Sequence, residues 1–167
     1  LKREGTGASL ANLDVPLGAN WGDSVTLLER LKSSRLLKIA SPDIALANCG
    51  LHDIKRITLE SECQVPLDQY RENLKQIVNL FQRAHARLIW VNTTPVDDLR
   101  HDAMMKKFVR FNRDVVVYNA AAEDVMGQNG VPVIDLYEFT KRLGADIFDD
   151  HVHFKEAVRK AQADYLA

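Results

Sequence analysis

Asp43-Ile44-Ala45-Leu46-Ala47-Asn48-Cys49-Gly50 is an almost unbroken apolar run that stops on a glycine. A strand buried on both faces reads this way, since neither side of it has to meet water. Working outward, Arg87 to Asn92 (RLIWVN) repeats the pattern and is closed by Thr93-Thr94-Pro95. Val131 to Leu136, after Gly130, is a third such run, and Ser9 to Val15 is a weaker strand candidate ahead of the loop signal Pro16-Leu17-Gly18. Helical spacing fills the gaps. Val25 to Lys32 carries Leu27, Leu28 and Leu31 on one face, and Pro66 to Arg83 carries Leu67, Tyr70, Leu74, Ile77, Val78 and Phe81. Pro66 suits a first helical position. A long helix is predicted from Asp102 to Met126, with Met104, Phe108, Phe111, Val115, Tyr118, Ala122 and Val125 on its face. Phe154, Val158, Ala161 and Tyr165 recur at helical spacing in a last, short helix. Strands alternating with helices predict an α/β domain with a parallel sheet covered on both faces.

Ligands of such sheets bind beyond the carboxyl ends of the strands. That rule directs attention to Gly50 to Lys55, Asn92 to Asp98, and the loops around residues 22 and 150. Asp149-Asp150-His151-Val152-His153-Phe154 precedes the last helix. An aspartate three residues ahead of a histidine can hold the imidazole in the tautomer that accepts a proton from a hydroxyl. The competing readings are a solvated polar loop, or a metal site built from His151, His153, Asp149 and Asp150. Asn48-Cys49-Gly50-Leu51-His52-Asp53 leaves the first apolar run, and its glycine allows close backbone approach; the alternative is a plain polar turn. In Asn20-Trp21-Gly22-Asp23-Ser24 the Gly22 amide would sit beside a helix N-terminus, a place suited to a developing oxyanion. Ser24 is either a nucleophile or a helix cap, with Asp23 as the rival cap. Trp21 could line a pocket or serve as packing.

The remaining features bound the function. The chain has 167 residues, enough for one core, and no repeat or low-complexity linker divides it, so residues 1–167 are expected to form a single domain. It is 46% hydrophobic and 27% charged with a net charge of −1, which gives no sign of nucleic-acid binding. No apolar run reaches transmembrane length and no export signal opens the chain. Two cysteines, Cys49 and Cys63, are too few for a disulfide framework and read as free thiols, so a reducing, cytoplasmic location is the default expectation. Neither G-x-G-x-x-G nor a P-loop is present, which weakens a nucleotide- or phosphate-binding reading.

In this order the segments resemble the SGNH hydrolases, the GDSL-type esterases and lipases. The resemblance covers the chain from about residue 9 onward. It implies a flavodoxin-like three-layer α/β/α sandwich and four sequence blocks. Asp150-His151-Val152-His153 matches the fourth block, D-x-x-H, which implies catalytic roles for Asp150 and His153. Gly50-Leu51-His52-Asp53 matches the third, G-x-N-D, with His52 in place of the oxyanion-hole asparagine; a histidine can still donate a hydrogen bond. Gly22-Asp23-Ser24 spells the first, nucleophile block but stands where the second belongs, because only one helix and one strand fit between Ser24 and Gly50. Gly22 is therefore read as the oxyanion glycine and Ser24 as a cap or supporting residue, with nucleophile as the alternative.

On that reading the first central strand and the nucleophilic serine lie upstream of Leu1, and the segment alone should be marginally stable. The activity implied is hydrolysis of a small ester (an acetylated sugar, a short acyl ester or a lipid) through an acyl-enzyme, with no cofactor and no metal. A catalytically inactive binding module of the same fold is the alternative, since fold does not imply activity.

Overall fold

The computed structural model describes residues 21–33, 37, 42–104 and 107–167. The strand candidate Ser9 to Val15 lies outside them. Among the described residues three parallel strands, β1 (Ile44–Ala47), β2 (Arg87–Val91) and β3 (Val133–Ile134), pair in the order β1-β2-β3. Six helices accompany them: α1 (Ser24–Ser33), α2 (Leu67–Arg83), α3 (Asp98–Met104), α4 (Asn112–Gln128), α5 (Leu136–Lys141) and α6 (Glu156–Leu166). This is an α/β sandwich, as the alternation of apolar runs and amphipathic segments predicts.

The main core explains the order of its elements. The α2 stripe Tyr70, Leu74, Ile77, Val78 and Phe81 is buried, and it meets Leu28 and Leu31 of α1, Val115, Ala122 and Val125 of α4, and Trp90 of β2. Pairing of Ala45 with Leu88 and of Ala47 with Trp90 turns the small β1 residues toward that core. Trp90 itself is fully buried. A smaller cluster, Ile147, Phe148, Phe154 and Val158, closes the C-terminal end.

Five expectations need correction. β1 is not buried on both faces: Ile44 is 53% and Leu46 50% exposed. The helices of the main core lie against its alanine face, and none of the described elements covers the other face at this edge strand. The helix expected from Asp102 to Met126 is two helices. Val109 instead pairs with Arg56 in an antiparallel bridge, Arg56 N–H to Val109 O at 2.9 Å and Val109 N–H to Arg56 O at 2.8 Å. Phe111 is extended as the cap residue of α4, and the Asn112 amide donates to Asp98 Oδ1 at 2.6 Å. The third apolar run pairs only at Val133 and Ile134, because Asp135 Oδ1 accepts from the Glu138 amide at 3.0 Å and starts α5. Pro66 caps α2 rather than opening it, and Phe154 precedes α6.

Candidate functional site

The loops that leave the strands bring two of the three singled-out segments into direct contact. In the first, Gly22 has φ +76°, a conformation that glycine takes without strain. Asp23 caps α1, its Oδ1 accepting from the Thr26 amide at 2.9 Å. The cap is thus Asp23 and not Ser24. Ser24 is fully buried; its hydroxyl accepts from Asn73 Nδ2 at 2.9 Å, and its amide donates to both Asp53 oxygens at 2.9 and 3.1 Å. The Asp53 carboxylate therefore fixes the backbone immediately after Gly22.

The second segment turns sharply at Gly50, with φ +139° and the Ile54 amide donating to the Gly50 carbonyl at 3.1 Å. A Cβ on Gly50 would lie 2.7 Å from Thr93 Oγ1. That hydroxyl is not free to move: it donates to the Cys49 carbonyl at 3.2 Å, and the Thr93 backbone is held by Asn119 through a reciprocal pair of bonds, both at 2.9 Å. Tyr70 OH also donates to the Cys49 carbonyl at 3.0 Å. The β1 exit is therefore clamped to the β2 exit. Burial pushes the Asp53 carboxyl up to about 6, against its bonds from Ser24. Burial, reinforced by the charges of Lys55 and Arg110, pushes the His52 imidazole down to about 4 against the pull of Asp23. At neutral pH His52 is an uncharged imidazole with one N–H to offer.

In the third segment His153 Nδ1 lies 2.6 Å from Asp150 Oδ2, while Asp150 Oδ1 accepts from the amides of Val152 and His153 at 2.8 and 2.7 Å. Burial of Asp150 works to raise its pKa, but these amide and imidazole contacts overcome it and hold the carboxyl well below the usual carboxylate range. The His153 side chain is 76% exposed. His151 is buried, its carbonyl accepts from the Asp97 amide at 3.0 Å, and its ring meets that of His101 edge-on at 4.8 Å. Its Nδ1 lies 3.8 Å from Asp150 Oδ1, the oxygen that His153 Nδ1 leaves to the amides. Among the described residues no group of three or more His, Cys, Asp or Glu side chains is placed to hold a metal ion.

The third segment is linked to the first two by a residue that sequence reasoning missed. Arg110 is 4% exposed, and its positive charge lowers the pKa of His52, His101 and His151, after burial in each case. Its neighbours Phe108 and Phe111 gave it the look of a helix-surface residue; only the Arg56–Val109 bridge turns it inward. Trp21 packs against the main core beneath the Arg30 guanidinium, 5.4 Å from its ring. Cys49 and Cys63 are free thiols. No helix among the described residues is long and apolar enough to cross a membrane.

The model of the GDSL-like lipase/acylhydrolase family matches residues 1–161. No curated protein matches the chain. Similar solved structures include an acetylxylan esterase from Geobacillus stearothermophilus in a catalytic mutant form, 16% identical with TM-score 0.67, covering 87% of this chain and 66% of that one. A GDSL-like lipase from Bacteroides thetaiotaomicron is 16% identical with TM-score 0.62, covering 86% and 70%. A lipase/acylhydrolase from Enterococcus faecalis is 20% identical with TM-score 0.59, covering 85% and 71%. These likenesses establish a shared fold, and the chain spans about two thirds of the length of these structures.

Proposed function

The chain belongs to the GDSL-like lipase/acylhydrolase family, and from that premise we propose that it takes part in serine-type hydrolysis of a small ester through an acyl-enzyme. The observation that carries this is the Asp150–His153 pair. One carboxylate oxygen holds Nδ1 at 2.6 Å while two amides pin the other, so the ring is fixed with its opposite nitrogen toward solvent. His153 takes the proton of the attacking serine and returns it to the leaving alcohol. Asp150, held ionised, fixes the tautomer and stabilises the imidazolium. The Gly22 amide and the neutral His52 N–H face the oxyanion.

Ser24 is not the nucleophile on this reading. A fully buried hydroxyl bonded between Asn73 and Asp53 cannot meet a carbonyl without dismantling the turn. A serine outside the described residues supplies the attack. The substrate class extends over acetylated sugars, short acyl esters and lipids.

The test is reaction with a fluorophosphonate probe, with the labelled residue mapped by mass spectrometry in wild type and His153→Ala. Labelling of a serine other than Ser24, lost in His153→Ala, is expected. Labelling of Ser24 would overturn its structural role, and equal labelling of both proteins would remove His153 as the base. A folded chain that labels nowhere would exclude every serine of residues 1–167 as the nucleophile.

A further inference from the structure

We propose that Arg110 and Lys55 form a subsite for an oxyanion group, a carboxylate, phosphate or sulfate, carried by the ester substrate; this specificity rests on the hydrolase reading above. The bridge between Arg56 and Val109 sets Lys55 directly opposite Arg110 on one face of a short two-stranded ladder. Like charges placed opposite one another weaken such a ladder. Both cations lie over the ring of Phe108, Lys55 Nζ at 5.3 Å and the Arg110 guanidinium at 4.8 Å from its centroid. On the other face of the same ladder Arg56 is treated differently: Asp114 meets it with two bonds of 2.9 Å. Among the described residues no carboxylate forms an ion pair with Lys55 or Arg110.

Arg110 is 4% exposed, and its buried Nε has no hydrogen-bond partner among the described residues. A buried guanidinium without a carboxylate forgoes the bidentate contacts for which its fork is shaped. Burial lowers its pKa only to about 10, so it stays charged at neutral pH. Around it stand His52, His101 and His151, all with lowered pKa values and uncharged at neutral pH; the His101 Nε2–H donates to the Phe108 carbonyl at 3.1 Å, which leaves its Nδ1 an acceptor. His101 and His151 each hold a buried Nδ1 without a hydrogen-bond partner among the described residues, that of His151 lying 3.8 Å from Asp150 Oδ1. Asp23 is the carboxylate whose field reaches Lys55 and His52, but it is committed to the Thr26 amide and Gln64. Positive charge is thus concentrated between His52, the oxyanion residue of the reading above, and the loop that carries His153. An anion seated there would separate the two opposed cations and supply the acceptors that Arg110 lacks.

The experiment compares binding of monomethyl succinate, which carries one carboxylate, with binding of the neutral dimethyl succinate by calorimetry. Wild type, Lys55→Gln, Arg110→Lys and Arg110→Gln are each checked for cooperative unfolding. The anionic ester is expected to bind at least about tenfold more tightly than the neutral one, and to lose affinity as salt rises. Lys55→Gln should weaken it severalfold and Arg110→Lys should do the same by removing the fork. If Arg110→Gln does not fold, Lys55→Gln and Arg110→Lys decide. Equal affinity for the two esters, or anion binding unchanged in both of these variants, overturns the subsite. Hydrolysis without any charge preference would leave the hydrolase reading standing and sink only the subsite; preferential anion binding without hydrolysis would do the reverse.

Discussion

Asp53 makes an unusual pH signature. Its carboxyl is fully buried, both oxygens face the Ser24 amide, and burial raises it from the ordinary 3.8 to about 6. A group raised in the folded state stabilises the fold fully below its unfolded value, and that contribution is lost as pH climbs through the folded value. Between about pH 4 and pH 7 the group therefore costs on the order of 3 kcal/mol, from roughly two pKa units at 1.36 kcal/mol each. Asp53→Asn removes the titration and keeps one acceptor for the Ser24 amide. The test is urea denaturation of both proteins at pH 4, 5, 6 and 7. The difference between them cancels other titrating groups, His52 included, so long as the substitution leaves those unchanged. Wild type should gain stability relative to Asp53→Asn as pH falls, by about 3 kcal/mol across the range. A flat difference, or one in which wild type gains as pH rises, would refute the account of Asp53 as a desolvated carboxyl.

Other expectations follow from individual contacts. Gly50→Ala should cost about 2–4 kcal/mol by denaturant unfolding, from its φ of +139° and a Cβ 2.7 Å from Thr93 Oγ1; Gly127→Ala, in α4 with open space around it, should instead stabilise by about 0.5–1 kcal/mol. Arg56→Lys should lose the two-bond contact to Asp114 and cost about 1–2 kcal/mol in thermal unfolding. Asp150→Asn should reduce hydrolysis of a small acetyl ester by at least about a hundredfold through the wrong imidazole tautomer, with little change in stability.

The sheet was legible because its signal is local. Ile44 to Ala47 and Leu88 to Val91 are short continuous apolar runs, the first closed by Gly50 and the second by Pro95. The α2 helix was equally plain, since Tyr70, Leu74, Ile77, Val78 and Phe81 recur at helical spacing against one partner surface. The break between α3 and α4 was not legible. Phe108 and Phe111 fall in register with the α4 stripe, and only the pairing of Val109 with Arg56, more than fifty residues away, pulls that segment out of helix. The α5 helix did leave a mark: Asp135 and Glu138 have capping-box spacing, which the apolar run before them obscured. Of the site, His153 and Asp150 could be paired from spacing alone, as could the proximity of Gly22 to a helix start. Arg110 could not, because a single arginine between two phenylalanines carries no sign of where a distant ladder will turn it.

Two of the chain's neighbouring Asp and His combinations, His52-Asp53 and Asp150-x-x-His153, fall in the candidate site, and the sequence alone does not say which one can run proton transfer. The electrostatic settings separate them. A histidine that takes up a proton during reaction needs an ionised carboxylate beside it to stabilise the imidazolium. Asp150 meets that need: two amides and the His153 ring hold it charged far below neutral pH. Asp53 does not. It is desolvated, its pKa sits near 6, and both of its oxygens are spent on Ser24. His52 in turn is disfavoured as a cation by its burial and by Lys55 and Arg110, so gaining a proton there is costly while donating an N–H is not. The two pairs are therefore suited to different tasks. Asp150 and His153 can carry a proton that comes and goes, whereas Asp53 fixes the turn behind Gly22 and His52 remains a neutral donor. Lys55 and Arg110, which add to burial in keeping His52 neutral, would also draw an anionic ester toward it, so part of the lowered pKa of His52 and the charge preference proposed for the substrate share an origin.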